Sequence, residues 1–270
     1  MMGQGSAVRS PVAAGTFYPG SADVLAGEVD ELLATARVEP LAGGETVHGV
    51  VTPHAGYVYS GPIAASAYGF LRLAPTPARI IVLGPSHFEP LDGLAVTGAG
   101  TWQTPLGDLP IDHVGREMLL DAGATKADAP HRSEHSIEVQ LPFLQRCFPG
   151  VPVLPVAAGS GDPEAAAETI APALADDALL VVSTDLSHYL DAATARRRDE
   201  RTAASVEALD LRAIDPHDAC GHEALRVGMA WAQRRGYVIR LLDLRTSADT
   251  ASDSDRVVGY GAFGIVGPGR

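Results

Sequence analysis

Residues 179–188 of this 270-residue chain have the sequence LLVVSTDLSH, an apolar run of strand length that leads into Asp185 and His188. A run that is apolar throughout is typical of a strand covered on both faces, as in a parallel sheet between layers of helices. Ligands of open parallel sheets bind in the crevice beyond the carboxyl ends of the strands. The stretch therefore predicts an α/β fold with polar groups at the ligand-binding edge of its sheet.

Two further apolar runs end in the same way. Residues 50–52 (VVT) lead into PHAGY, which contains His54, and residues 80–83 (IIVL) lead into GPSH, which ends at His87. Glycine or proline close to each histidine suits a tight turn that directs the side chain into the crevice. One histidine at a strand end is more often a hydrogen-bonded structural group than a ligand, so the prediction of a site depends on the three strands being parallel neighbours.

Strand-like apolar runs alternate with helical patterns along the chain. The predicted strands are 49–52, 79–83, 93–97, 151–156, 179–183, 238–244 and 259–266. The predicted helices are 23–36, 63–73, 112–122, 136–147, 164–175, 193–211 and 217–235. This alternation predicts one α/β domain over residues 1–270, with a largely parallel or mixed central sheet between helical layers.

Three segments do not fit the alternation. Residues 94–111 are rich in turn-forming residues and predict a hairpin-like excursion from the sheet. Residues 159–163 and 247–255 are short and polar, which predicts loops inside the domain.

The chain is acidic, with 20 lysine and arginine residues, 33 aspartate and glutamate residues, and a formal net charge of −13. Nucleic acids and anionic membranes bind basic surfaces, so neither is an expected partner. No apolar run approaches the roughly 20 residues of a membrane-spanning helix, and residues 1–20 lack the apolar core of a signal peptide. We therefore expect a cytoplasmic protein in which Cys147 and Cys220 are thiols.

Two more segments place polar groups at predicted helix starts. Residues 133–138 (SEHSIE) contain His135, and the side chains of Ser133, Ser136 and Glu138 are suited to capping the helix that follows. Residues 218–222 (DACGH) place Cys220 at a helix start, where the helix dipole favours a thiolate. An isolated cysteine, however, is more often a small buried apolar residue.

The other cysteine and histidines have structural interpretations. Cys147 lies in an apolar helical stretch and is expected in the core, whereas His48, His113, His131 and His217 are expected at the surface or in loops. The sequence contains no G-x-x-x-x-G-K-[ST] loop, no paired Cys-x-x-Cys and no G-x-S-x-G elbow. These absences argue against nucleotide binding, a zinc finger and a serine hydrolase.

Seven segments, in order along the chain, resemble the Memo family, which includes bacterial and archaeal proteins labelled AmmeMemoRadiSam system protein B. The matching segments are 14–19 (AGTFYP), 53–57 (PHAGY), 83–87 (LGPSH), 104–107 (TPLG), 134–138 (EHSIE), 183–188 (STDLSH) and 220–221 (CG). An ordered set spread over nearly the whole chain is far more specific than any single motif.

The Memo family is similar in fold to the class III extradiol dioxygenases, so the resemblance implies a three-layer α/β/α domain. It also implies a metal site formed by His54, His87 and Cys220. Two imidazoles and one anionic ligand leave coordination positions open, as in non-haem iron(II) sites, and a thiolate also suits copper(I) or zinc. We expect iron(II) as the bound metal, with copper or zinc as alternatives.

The resemblance further implies catalytic roles for three residues. His188 matches the acid/base histidine of the dioxygenases, with Asp185 beside it to orient the ring. His135 matches another site residue, which would bind substrate or assist. A thiolate in place of a carboxylate is readily oxidised, which argues against simple ring opening.

Three functions remain open from the sequence. The first is a metal-dependent oxidoreductase. The second is an accessory protein that binds a small molecule or peptide without turnover, with a radical-SAM protein and AmmeMemoRadiSam system protein A as expected partners. The third is a hydrolase in which His188 is the base for a metal-activated water.

Overall fold

The computed structural model describes residues 7–175, 177–251 and 255–269. The strands are β1 (Val8–Arg9), β2 (Glu45–Thr52), β3 (Arg79–Pro85), β4 (Leu94–Val96), β5 (Thr101–Thr104), β6 (Gly107–Pro110), β7 (Thr125–Lys126), β8 (Val153–Ala158), β9 (Ala178–Ser183), β10 (His188–Leu190), β11 (Val238–Thr246) and β12 (Val257–Pro268).

The helices are α1 (Ala22–Thr35), α2 (Tyr57–Leu71), α3 (His113–Asp121), α4 (Ala129–Arg132), α5 (Leu141–Cys147), α6 (Pro163–Ile170), α7 (Ala192–Glu207), α8 (His222–Arg235) and α9 (Ser247–Thr250). Short 3-10 turns lie at Glu138–Gln140, Ala171–Ala173 and Leu211–Ala213. Each predicted strand and helix corresponds to an observed one, so the alternation of the sequence was a sound guide to element type.

The main sheet has the strand order β11-β12-β2-β9-β3-β8-β4-β7, and β10 pairs with the start of β12. The four central strands, β2, β9, β3 and β8, run parallel, whereas β12 and β4 are antiparallel to their neighbours β2 and β8. Nearly every residue of the central strands is buried. The predicted mixed sheet is therefore confirmed, with its parallel part at the centre.

Two groups of helices cover this sheet. Helices α1, α2 and α5 pack on one another, and α2 packs on β2 and β12. Helix α6 packs on α8, and α8 packs on β3 and β9. The arrangement is the expected three-layer α/β/α fold.

The segment 94–111 leaves the main sheet after β4 and forms the hairpin β5–β6, as predicted. Strand β5 pairs antiparallel with β6 and parallel with β1, which makes a second, three-stranded sheet. At the turn Gly107 has φ 115°, a conformation that favours glycine.

Tertiary contacts move several element boundaries away from the predicted positions. Helix α2 begins at Tyr57 instead of residue 63, because the Tyr57 amide donates to the carbonyl of the distant Phe17 at 2.8 Å. Helix α8 begins at His222 instead of residue 217. The predicted loop 247–255 contains the short helix α9, while residues 252–254 lie outside the described part of the chain.

Among the described residues, no helix has both the length and the apolar character that crossing a membrane requires.

Candidate metal centre

Three of the predicted site residues, His54, Asp185 and His87, follow the carboxyl ends of three adjacent parallel strands. In the sheet β9 lies between β2 and β3, and Thr52 of β2 is paired with Ser183 of β9. His54, Asp185 and His87 therefore follow neighbouring strands at one edge of the sheet. The prediction that these runs are parallel neighbours is confirmed.

All six predicted site residues line one cavity of about 660 Å³. They are His54, His87, His135, Asp185, His188 and Cys220. Four aromatic side chains form much of the remaining wall, namely Phe17, Tyr59, Tyr189 and Tyr260. Residues from both halves of the chain thus meet in one cavity that combines polar groups with apolar walls.

His54, His87 and Cys220 each place one donor atom within 4.8 Å of the other two. Cys220 Sγ lies 3.3 Å from His54 Nε2. Two imidazoles and a thiol are a donor set that transition metals such as iron, copper and zinc bind. The three side chains therefore form a candidate metal-ligand group.

The hydrogen bonds around Ser183 fix which nitrogen of His54 is free. The Ser183 hydroxyl donates to the Ser136 carbonyl at 2.7 Å and accepts from Gln140 Nε2 at 2.8 Å. Because its single proton is used, His54 Nδ1, 2.9 Å away, must donate to it. Burial, helped by His87, holds the pKa of His54 well below its usual value. The neutral ring therefore presents an unprotonated Nε2 to the site.

His87 is oriented by the buried carboxylate of Glu134. Its Nδ1 lies 2.9 Å from Glu134 Oε1, its backbone amide donates to Oε2 at 2.7 Å, and the Ser136 amide donates to Oε1 at 2.8 Å. Burial alone would raise the pKa of Glu134, but these hydrogen bonds lower it to about 2. Because Nδ1 of His87 donates to this carboxylate, Nε2 is left as the metal-binding atom. Such a carboxylate commonly supports a metal-ligating histidine.

Cys220 lies in the loop before α8, packed against the end of β9. A Cβ at Gly221 would approach the Ser183 carbonyl oxygen to 2.8 Å, so only glycine fits beside this cysteine. Because α8 begins at His222, Cys220 is not in its first turn. Burial, together with Asp185, raises the pKa of the thiol to about 12. The prediction that the helix dipole favours a thiolate is therefore wrong, and a bound cation would have to stabilise one.

The His188 ring is oriented by a backbone carbonyl. Its Nδ1 donates to the Leu186 carbonyl at 2.8 Å, which leaves Nε2 unprotonated in the neutral ring. Asp185 Oδ1 instead accepts the amides of His54 at 2.7 Å and Ala55 at 3.3 Å. Burial raises the pKa of Asp185 to about 6. The prediction that Asp185 orients His188 is corrected, because Leu186 does so.

His135 is held in an aromatic stack at the mouth of the site. Its ring lies 4.4 Å from that of Phe17 and 5.0 Å from that of His87, measured between centroids. Its Nδ1 is 3.5 Å from Glu134 Oε1. Burial lowers the pKa of His135, which favours the neutral ring. His135 is thus placed to contact a bound molecule beside His87.

Two of the four histidines predicted at the surface are buried. His48 is 4% exposed and stacks on Tyr237, and His131 is 1% exposed with Nε2 3.2 Å from the Ala95 carbonyl. These predictions are wrong because distant parts of the chain cover both rings. His113 and His217 are exposed as expected. Cys147 is half-buried against the core.

Sequence reasoning missed the residues that support the ligands. Glu134 and Ser183 fell within quoted motifs but received no role, and Gln140 was not singled out. Glu138 was expected to cap a helix, yet its carboxylate accepts from Arg9 and from the Tyr18 hydroxyl, both at 2.6 Å. The only signal in the sequence that could have indicated these supporting residues was a carboxyl or hydroxyl group close to a candidate ligand.

Comparisons with known proteins identify the family of the chain. A family model described as Memo-like protein matches residues 9–264. A MEMO1 family protein of Thermotoga neapolitana is 34% identical over 94% of this chain and 98% of its own length. MEMO1 family proteins of Caldivirga maquilingensis and Archaeoglobus fulgidus are 30% and 31% identical, each over 94% of this chain and at least 97% of their own length. The chain belongs to the Memo family.

Proposed function

We propose that this chain is a metal-dependent oxidoreductase that holds one transition metal ion with His54, His87 and Cys220. The observation that supports this is the set of two imidazoles, whose Nδ1 atoms are held by Ser183 and Glu134, and one thiol at the edge of a parallel sheet. Iron(II) is the preferred metal because two histidines and one anionic ligand leave coordination positions open; copper and zinc also suit the donors. When bound, iron or copper would supply one-electron redox chemistry, which zinc could not.

Proton transfer is assigned to His188. Its Nδ1 donates to the Leu186 carbonyl, which holds the ring in one orientation and leaves Nε2 for proton transfer, and the ring lines the same cavity as the ligands. An imidazole fixed in this way, within reach of substrate, is suited to act as a general base. Asp185 contributes negative charge beside this ring, and His135 is assigned to substrate contact.

The cavity favours a small aromatic or otherwise flat substrate. Its volume of about 660 Å³ is that of a small-molecule site. Phe17, Tyr59, Tyr189 and Tyr260 line it, and aromatic side chains prefer flat apolar partners.

The test is anaerobic loading with iron(II), followed by metal analysis and by oxygen uptake with a panel of aromatic substrates. In His54→Asn, the amide nitrogen can replace Nδ1 as donor to Ser183, but the ligand Nε2 is lost, so the iron content should fall. His188→Asn should keep its iron and lose turnover about 100-fold or more, the usual contribution of a general base.

Cys147→Ser is the matched control, since the side chain of this cysteine does not line the cavity. Both its iron content and its turnover should equal those of the wild type. Unchanged iron in His54→Asn, or full turnover in His188→Asn, would contradict the proposal.

Exposed aromatic residues around the cavity favour a second candidate function, recognition of a peptide or protein partner. Tyr189 is 67% exposed, Phe88 is 60% exposed, and the Phe88 ring lies 6.1 Å from that of His135. Exposed apolar side chains grouped at one opening mark interaction sites. Under this proposal, radical-SAM-associated partners would bind the chain without turnover, and binding would survive His54→Asn and His87→Asn.

A further inference from the structure

A second set of donor atoms shares the sulfur of Cys220. Asp185, His188 and Cys220 each place one donor atom within 4.8 Å of the other two. Three such atoms all lie within about 2.8 Å of a common point, roughly half an ångström more than zinc–ligand bonds. We call His54, His87 and Cys220 the first position, and Asp185, His188 and Cys220 the second position.

Each donor of the second position has a lone pair available. His188 uses Nδ1 to bond to Leu186, so Nε2 is unprotonated in the neutral ring. Both amides that reach Asp185 donate to Oδ1, and within the described part of the chain no group donates to Oδ2. Cys220 Sγ accepts from the Asp185 amide at 3.4 Å and also lies 3.3 Å from His54 Nε2 and 3.9 Å from the Thr184 hydroxyl oxygen, so a sulfur lone pair remains for a cation.

The second position is also held together by the fold. The Cys220 amide donates to the Asp185 carbonyl at 3.2 Å, and His188 begins β10, which pairs with β12. Asp185 is 5% exposed and forms no ion pair with a described lysine or arginine. A buried carboxylate of this kind is normally compensated by a cation.

A third set of nearby donors, His87, Glu134 and His135, does not have these properties. Both oxygens of Glu134 already accept N–H groups, from His87 and from the Ser136 amide. A cation there would have to displace the hydrogen bond that orients His87. The second position, in contrast, can take a cation without losing a hydrogen bond that orients a ligand.

We propose that Asp185, His188 and Cys220 form a second cation position, for zinc or another divalent ion that binds thiolate and imidazole, overlapping the first position at Cys220. It has one oxygen, one nitrogen and one sulfur donor, a mixed set that zinc accepts. A cation there occupies His188 Nε2, the atom that the proposed function uses for proton transfer. Excess metal would therefore inhibit turnover. This regulatory consequence rests on the proposed function, whereas cation binding at the second position does not.

The test uses cobalt(II) as the probe, titrated anaerobically into the full chain. Thiolate-to-cobalt charge-transfer absorption reports bonding to sulfur, and elemental analysis gives the stoichiometry. The first-position variant is His54→Asn/His87→Asn, and the second-position variant is Asp185→Asn/His188→Asn. In the histidine replacements the Asn amide can still donate where Nδ1 did, and circular dichroism checks that each variant is folded.

The first-position variant should still bind about one cobalt(II) with the charge-transfer band, because the second position keeps all of its donors. Adding Asp185→Asn/His188→Asn to that variant should abolish both signals. Cys147→Ser should behave as the wild type, and Cys220→Ser should lose the band.

A folded first-position variant that binds no cobalt(II) would overturn the second position and leave the proposed function intact. The second-position variant makes the complementary check. If it binds no cobalt(II) while the first-position variant binds one, the proposed function fails and the second position stands.

Discussion

Two buried carboxylates, Glu138 and Asp199, each hold a segment that lines the cavity, and they differ in how their charge is compensated. Glu138 is fully buried and accepts hydrogen bonds from Arg9, from the Tyr18 hydroxyl and from the amides of Val12 and Ala13. Asp199 is 1% exposed, and its Oδ1 accepts the Ser187 amide at 3.0 Å. Among the described residues, its Oδ2 has no hydrogen-bond partner.

Glu138 fastens the segment 9–18 to the rest of the molecule. That segment carries Phe17, which stacks on His135 at the mouth of the cavity. Arg9, the partner of Glu138, also donates to the carbonyl of Glu134 at 2.6 Å. One ion pair thus links an aromatic wall of the cavity to the residue that orients His87.

Asp199 fastens the loop that carries Asp185 and His188, through the Ser187 amide. Burial raises its pKa to about 6. A Cβ added at Gly259 would lie 1.9 Å from its Oδ2, so glycine is needed opposite this carboxyl group. The difference teaches that equal burial has opposite consequences: a compensated carboxylate stabilises the fold as an anion, and an uncompensated one favours its protonated form.

The largest expected effect is that of Glu138→Ala. It leaves the buried Arg9 guanidinium without its partner, so we expect the free energy of unfolding to fall by about 3–5 kcal/mol. Urea denaturation followed by circular dichroism measures this loss. Glu200→Ala, at an exposed site, is the control and should change stability by no more than about 0.5 kcal/mol. If Glu138→Ala lowers the free energy of unfolding by less than about 1 kcal/mol, Glu138 does not stabilise the fold as the comparison with Asp199 requires.

Asp199→Asn should test whether folding favours the protonated form of the second carboxyl group. The pKa of Asp199 is raised from 3.8 to about 6 on folding, so the folded state binds the proton more tightly. Its contribution to stability is therefore full below about pH 4 and is lost as the pH rises to about 6, by at most about 3 kcal/mol.

The measurement is the free energy of unfolding of wild type and Asp199→Asn between pH 4 and pH 7. The wild type should lose stability relative to the variant over this range. A difference that is constant with pH, or one that changes in the other direction, would show that the Asp199 carboxyl group is compensated after all.

A smaller effect is expected for Gly259→Ala, about 1–3 kcal/mol of destabilisation, because its Cβ overlaps the Asp199 carboxyl group. Asp199→Ala removes the clashing atoms, so the double variant should be more stable than the sum of the two single losses predicts. A double-mutant cycle from urea denaturation measures this coupling. Additive losses would mean that the clash is relieved elsewhere, and that Asp199 is not closely packed on β12.

Much of the site could be predicted from the residues that end apolar runs. His54, His87 and Asp185 follow strands whose patterns are local, and parallel strands bring their carboxyl ends to one edge. Cys220 was different, because no local pattern distinguishes it from a buried apolar cysteine, and only the family resemblance brought it to the site. The orientation of His188 by Leu186, and the burial of His48 and His131, depend on contacts that no local pattern encodes.

The sequence by itself determined the element types, the parallel centre of the sheet and the strand ends that carry the metal-binding side chains, because hydrophobic periodicity and turn residues act locally. Only the tertiary structure decided which nitrogen each histidine leaves free. Ser183 and Glu134 make that choice for His54 and His87 through bonds between segments far apart in the chain. It also decided that Glu138 is compensated and Asp199 is not, since compensation depends on which distant groups share the buried space.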